Sequence, residues 1–199
     1  SFVENIRTNT SLVRKIVNNE NLIIESLSVG NITNTQVAVC YMKNIANEDL
    51  VSEVKLRINS LKIDSITSSG EIENLIKDSL NSFYPELLAT ERPDKTSTML
   101  LSGRVAILVN GSPYALIAPA ILIDFLTSSE DLNLNHFYSN FLKIVRAISL
   151  AITLLLPGFY IAITIYHNEF LPSELLFAII SAREKIPFPI IIEILLMEV

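Results

Sequence analysis

AISLAITLLLPGFYIAITIY, residues 147–166, runs for twenty positions without a charge. At ~1.5 Å per residue an α-helix of that length covers the ~30 Å hydrocarbon core of a bilayer. Roughly 140 residues of mixed polarity precede it, which separates it from a secretory signal. The competing reading is a core helix of a large soluble protein, but such helices carry a polar stripe or stop well short of this length. The stretch therefore predicts a membrane span over residues 144–166 and divides the chain in two.

Composition agrees with that division. Half of the residues are hydrophobic and the mean hydropathy is +0.43, yet the excess lies after Leu142. The part before it carries eleven Lys/Arg and sixteen Asp/Glu, as a soluble domain would. Residues 1–140 are long enough to bury a core of their own and are expected to form one domain, with residues 141–199 a membrane region. The net charge of −6 and the absence of a basic cluster argue against a nucleic-acid partner. The sequence opens on Ser1 and closes at Val199 within an apolar run, so a segment of a longer protein is expected.

Cys40 is the single cysteine, in the apolar run 37–41, and reads as a buried thiol. His136 and His167 flank the span on opposite sides and are poorly placed to share a metal. Sequons at Asn9, Asn31 and Asn110 read as chance matches in an Asn-rich chain. Five glycines supply neither a phosphate-cradling loop nor a dinucleotide fingerprint, and no G-x-S-x-G or H-E-x-x-H occurs. No enzymatic activity, cofactor or metal is expected.

Within the first part, residues 3–17 follow a broken helical pattern and predict one or two short helices. Residues 22–29 predict a strand ending at Gly30. Residues 35–42, TQVAVCYM, predict a strand buried on both faces. Asn47 caps a helix through Ser60 with Leu50, Val51, Val54, Ile58 and Leu61 on its apolar face. Residues 62–66 alternate and read as a short strand. Ser68 or Ser69 starts a helix bearing Ile72, Leu75, Ile76 and Leu80. Strands alternating with helices predict an α/β soluble N-terminal domain.

Pro93 suits the first position of a helix running to about Ser102 and stopping at Gly103. Residues 105–109 predict a buried strand. Asn110–Gly111 then predicts a two-residue type I′ hairpin, returning antiparallel over 114–118. Thr90, Glu91, Arg92 and Asp94 have two readings: an anion- or partner-docking corner, or a helix cap with its charge pairs. Residues 124–131 read as a polar link with an N-cap.

Phe137, Tyr138 and Phe141 sit where aromatic rings favour a membrane surface, and Lys143 with Arg146 flanks the near end of the span. The far end offers only His167, Asn168 and Glu169, so the positive-inside bias predicts a cytoplasmic N-terminal domain. Pro157–Gly158 predicts a kink or break in the span, either a transport feature or one that aids helix packing. Residues 172–183 predict an interfacial or re-entrant helix carrying Glu174, and residues 188–199 the start of a second membrane helix carrying Glu193 and Glu198. An ionised carboxylate facing lipid costs several kcal/mol, so Glu193 should face protein, water or a cation. An ion pathway and a structural pair with Arg183 or Lys185 both satisfy that.

NTSLVRK (9–15), ATERPDK (89–95), GRVAILVNGSPYALIAPA (103–120), LLLPGFYIAITIYH (154–167) and the run PSELL, SAREKIPFP, EILLME (172–198) closely resemble the A-subunit family of spore germinant receptors, the GerA type, to which stage V sporulation AF-type proteins are related. The resemblance covers the whole chain. It implies a multi-pass subunit of the bacterial spore inner membrane, acting with B and C subunits and with further copies of itself to turn nutrient detection into ion release. Residues Glu193, Glu198, Glu174, Pro157 and Gly158 are then candidates for an ion pathway or its gating, and Glu91, Arg92 and Asp94 for partner docking. A non-conducting membrane scaffold whose soluble domain docks partners is the alternative. The B subunit is the better candidate for nutrient recognition, so the resemblance assigns no ligand residues here.

Overall fold

The structure is a computed structural model that describes residues 1–77, 85–127 and 135–166, with Pro172, Glu174, Phe177, Ser181 and Ile192 beyond them. Two compact units divide between Phe125 and Leu126.

In the first unit the strands β1 (Leu22–Val29), β2 (Thr35–Met42), β3 (Leu88–Thr90), β4 (Val105–Val109) and β5 (Ala115–Ala118) form one sheet in the order β1-β2-β4-β5-β3. Every neighbouring pair is antiparallel. Side chains alternate between faces with period two. Val37, Val39, Val105, Ile107, Val109 and Leu116 accordingly join one core, while Ala38, Cys40, Ala106, Leu108, Ala115 and Ile117 join another.

Helices α2 (Glu48–Ser60) and α3 (Ser69–Ile76) seal the first face through Val51, Val54, Ile58, Ile72 and Ile76. Helices α1 (Ile6–Ile16) and α4 (Pro93–Leu101) seal the second through Ile6, Val13 and Leu100. This explains why β2 and β4 read as nearly unbroken apolar runs: both faces of the sheet lie under helices. Each fully buried Ile or Leu side chain contributes about 1.5–3 kcal/mol.

Local chemistry sets the helix ends. Asn5 accepts from the backbone N–H groups of Arg7 and Thr8 to start α1, Asn47 accepts from Asp49 to start α2, and Ser68 accepts from Glu71 to start α3. Residues 3–17 thus form one helix. Asn9, within one of the sequons, is 1% exposed, and its amide pairs with both backbone groups of Val3.

Helix α4 ends in a Schellman motif, with the Gly103 N–H donating to Leu100 and the Arg104 N–H to Met99. Gly103 adopts φ +87°, and a Cβ there would lie 2.9 Å from the Ile45 carbonyl oxygen, so the position requires glycine.

Three expectations are corrected. Residues 62–66 pair with no strand: the Ile63 and Asp64 carbonyls accept from Asn31, Ile32 and Thr33, so the segment braces the β1–β2 turn, and Ile66 faces the core. The β4–β5 connection is not type I′. Gly111 has φ +86° while Asn110 is not in the positive region, and Ser112 closes the turn on Val109, the pattern of a type II turn. Asn110 instead accepts from the Ile6 N–H at the start of α1. Finally, Asp124 does not belong to a polar link. It lies in a short helix α5 (Leu122–Leu126) with its carboxylate buried. Leu80 and residues 128–131 lie outside the described residues.

In the second unit, Asn135 caps α6 (His136–Ile161), which passes through Pro157 and continues as a π-helical turn over Ala162–Tyr166. Within Phe137–Thr164 an 18-residue stretch has mean hydropathy 2.0 with none of it buried, and this is the one helix among the described residues long and apolar enough to cross a bilayer. Ser149, Thr153 and Thr164 return their hydroxyls to the Val145, Ser149 and Tyr160 carbonyls. Those groups are thereby satisfied within the helix, as a lipid environment requires. The helix does not break at Pro157–Gly158. The departure from α geometry comes one turn later, where the Ala162 N–H is shared between Gly158 and Phe159.

Candidate functional site

Three sets of residues carry polar chemistry. The first is a cleft of about 470 Å³ lined by Ile23, Glu25, Tyr41, Lys43, Val51 and Lys55 among others. Register places Ile23 opposite Tyr41 and Glu25 opposite Val39, so Glu25 and Tyr41 are diagonal neighbours on one face. Lys55 reaches them from α2. Its ammonium lies 2.6 Å from Glu25 Oε1, and the Tyr41 hydroxyl donates to the same oxygen at 2.6 Å. The ammonium also lies 4.9 Å from the Tyr41 ring centre, a cation–π contact.

The Lys55 hydrogen bond, then that of Tyr41, holds the Glu25 carboxyl below the usual carboxylate range. The same carboxylate raises the Tyr41 phenol. Both shifts move away from neutrality, so the trio keeps one charge state near pH 7 and is suited to fastening β1 and β2 to α2, not to moving protons. Sequence reasoning missed it. Its signal is one carboxylate in an otherwise apolar inward series, Ile23, Glu25 and Leu27.

The second set is the corner before α4. Thr90 ends β3, and its hydroxyl accepts from the Arg92 N–H at 3.3 Å. Arg92 occupies the cap position in extended conformation ahead of Pro93. The guanidinium grips Asp94 with two bonds, 3.1 Å from Nε and 2.8 Å from Nη2, and this holds the Asp94 carboxyl below its ordinary range. The Glu91 carbonyl accepts from the Phe2 N–H at 2.8 Å, while its carboxylate raises the nearby Tyr114 phenol. Glu91 and Arg92–Asp94 thus use separate partners. The cap and the ion pair are both present, with the Arg92 and Asp94 side chains 40% and 46% exposed.

The third set belongs to the membrane region. Pro157 and Gly158 lie within α6 with open space around the Gly158 Cα. Glu174 is helical and exposed. Glu193, Glu198 and His167 lie outside the described residues. Among the described residues, no group of three His, Cys, Asp or Glu side chains is arranged to hold a metal, and Cys40 is buried with its thiol pushed up to about 12 by desolvation.

A family model described as Bacillus/Clostridium GerA spore germination protein matches residues 1–199. The chain belongs to the GerA family. Spore germination protein KA of Bacillus subtilis (strain 168) is 41% identical over 203 residues, covering 100% of this chain and 36% of that protein. The uncharacterized membrane protein YfkQ of the same organism is 39% identical over 198 residues, covering 100% of this chain and 39% of its own length. This GerA chain therefore spans less than half the length of these relatives. Among solved structures, it is similar to the N-terminal domain of the A subunit of the Bacillus megaterium spore germinant receptor GerK3. The two share 43% identity at a TM-score of 0.50, covering 61% of this chain and 96% of that one. The α/β fold of the first unit is thus that of a germinant-receptor A-subunit domain.

Proposed function

We propose that this chain carries the N-terminal domain and a membrane span of a spore germinant-receptor A subunit that couples nutrient detection to ion release. The observation that carries the reading is the GerA match over the whole of residues 1–199. The likeness to the GerK3 A-subunit N-terminal domain supports the assignment of subunit type. The length and apolar surface of α6 support a place in a bilayer. In this reading the protein is a multi-pass component of the spore inner membrane and works with B and C subunits and further copies of itself. Lys143 and Arg146 at the near end of α6 support a cytoplasmic α/β domain by the positive-inside bias.

Ion passage would belong to segments that carry membrane-embedded acids, with Glu193 and Glu198 as the residues to test and Glu174 and Pro157–Gly158 as companions. One observation favours the second reading, a non-conducting scaffold: α6 has no Asp, Glu, Lys, Arg or His from Ala147 to Ile161, so it offers no charged path by itself. The half-exposed Glu91, Arg92 and Asp94 corner would then dock partner subunits.

The test uses spores carrying the intact gene, a deletion, or Glu193→Gln, with subunit levels checked by immunoblot. The deletion should abolish ion release in response to the nutrients this receptor serves. Loss of release in Glu193→Gln at normal subunit level supports conduction or gating. Unchanged release in that variant moves the pathway elsewhere, and unchanged release in the deletion overturns the assignment. A reporter fused near residue 131 should behave as cytoplasmic.

A further inference from the structure

Directly before the unit boundary, Ile121, Leu122, Ile123 and Phe125 are exposed by 48%, 58%, 62% and 47%. Four large apolar side chains facing water within five positions, on and just ahead of the short helix α5, are unusual for a soluble surface. The element is also held against rotation. Arg104 donates to Asp124 through both terminal nitrogens, Nη2 at 3.0 Å, and Asp124 Oδ2 accepts from the Ile121 N–H at 2.8 Å. The Arg104 and Asp124 side chains are 15% and 6% exposed. Thus the single charge of α5 is turned inward and paired, and the outward face keeps only aliphatic and aromatic groups.

We propose that this face of α5 is a lipid-docking surface, seated in the headgroup–acyl boundary of the bilayer that α6 crosses. The proposal rests on the membrane reading of α6. Lipid is favoured as occupant by covalent continuity. Only positions 126–135 separate Phe125 from the start of α6, and even fully extended these reach about 35 Å. A face tethered that closely to a span samples the membrane surface at high effective concentration. An uncharged apolar face gains by entering the interface to a depth of about 5–10 Å. Such docking depends on buried apolar area and not on lipid charge.

The test uses the full-length protein in phosphatidylcholine/phosphatidylglycerol vesicles, with an environment-sensitive fluorophore on Leu122→Cys, Ile123→Cys, Ile32→Cys or Leu155→Cys. Within this segment the buried Cys40 stays unlabelled, and any cysteine outside it is replaced by serine. Ile32, 76% exposed in the β1–β2 turn, is the aqueous control, and Leu155, 69% exposed in α6, reports insertion of the span. Phospholipids brominated on their acyl chains should quench the labels at 155, 122 and 123. At the last two, quenching should exceed that at 32 by roughly threefold or more and persist in 1 M salt. If 155 is quenched but 122 and 123 match 32, the docking proposal fails while the membrane reading stands. Label-to-label contact between copies at 122, insensitive to brominated lipid, would show that protein covers the face and also overturn it. If 155 is unquenched, the membrane reading and the docking proposal fall together.

Discussion

Replacing Asp124 with Ala tests how the end of the α/β domain is held. The substitution leaves the Arg104 guanidinium, 15% exposed, without its carboxylate, and the Ile121 N–H without its acceptor. Breaking a buried pair from one side costs about 3–5 kcal/mol, because the remaining charge stays poorly solvated. The residual exposure of Arg104 puts the expected loss near the low end, about 3 kcal/mol. For a domain of this size that corresponds to a fall in melting temperature of roughly 12 °C. The assay is thermal and urea unfolding of residues 1–125, followed by circular dichroism. A companion double variant, Arg104→Met with Asp124→Leu, removes both charges and should recover at least half of the loss, since apolar replacements of a buried pair are often neutral. A loss below about 1 kcal/mol in Asp124→Ala, the range of a solvated surface pair, would refute the reasoning. So would a double variant as unstable as the single one.

Other outcomes follow from the same geometry. The depressed Glu25 carboxyl stabilises the fold above its unfolded value, and that contribution disappears as pH falls through the lower folded value. Glu25→Gln should therefore cost up to about 1 kcal/mol at pH 7, its side chain being 38% exposed, and should flatten the fall in melting temperature below about pH 4.5. Cys40 should resist alkylation in the folded protein, its thiol being fully buried and pushed up to about 12; modification should keep pace with unfolding in a urea series. Gly103→Ala should cost roughly 1–3 kcal/mol, from its positive φ and the close Ile45 carbonyl, seen as a lower urea midpoint with unchanged slope.

Elements governed by local signals were legible. The bounds of β1, β2 and β4 follow from apolar runs ending at turn residues, and α2, α3 and α4 from Asn47, Ser68 and Pro93. Elements decided by long-range partners were not. Strand β3 has three residues, too few to show alternation, and exists through pairing with β5. The Asn110–Gly111 turn departs from type I′ where Asn110 bonds the start of α1, a partner 104 positions away. Asp124 reads as a linker acid until Arg104 stands beside it. Lys55 meets Glu25 only because α2 lies over β1, which no sequence spacing encodes. For function, the family motifs were legible in full, whereas the docking corner shows a cap and an ion pair that a sequence cannot tell from a binding surface.

The most direct measurement is ion flux across vesicles containing the full-length protein that carries this segment, alone and with the B and C subunits proposed as its partners, as germinating nutrients are added. A component that couples nutrient detection to ion release predicts flux that requires the A subunit, rises with nutrient only when the partner subunits are present, and falls in Glu193→Gln. Nutrient-dependent flux of the same size from vesicles holding the B and C subunits without the A subunit would contradict it.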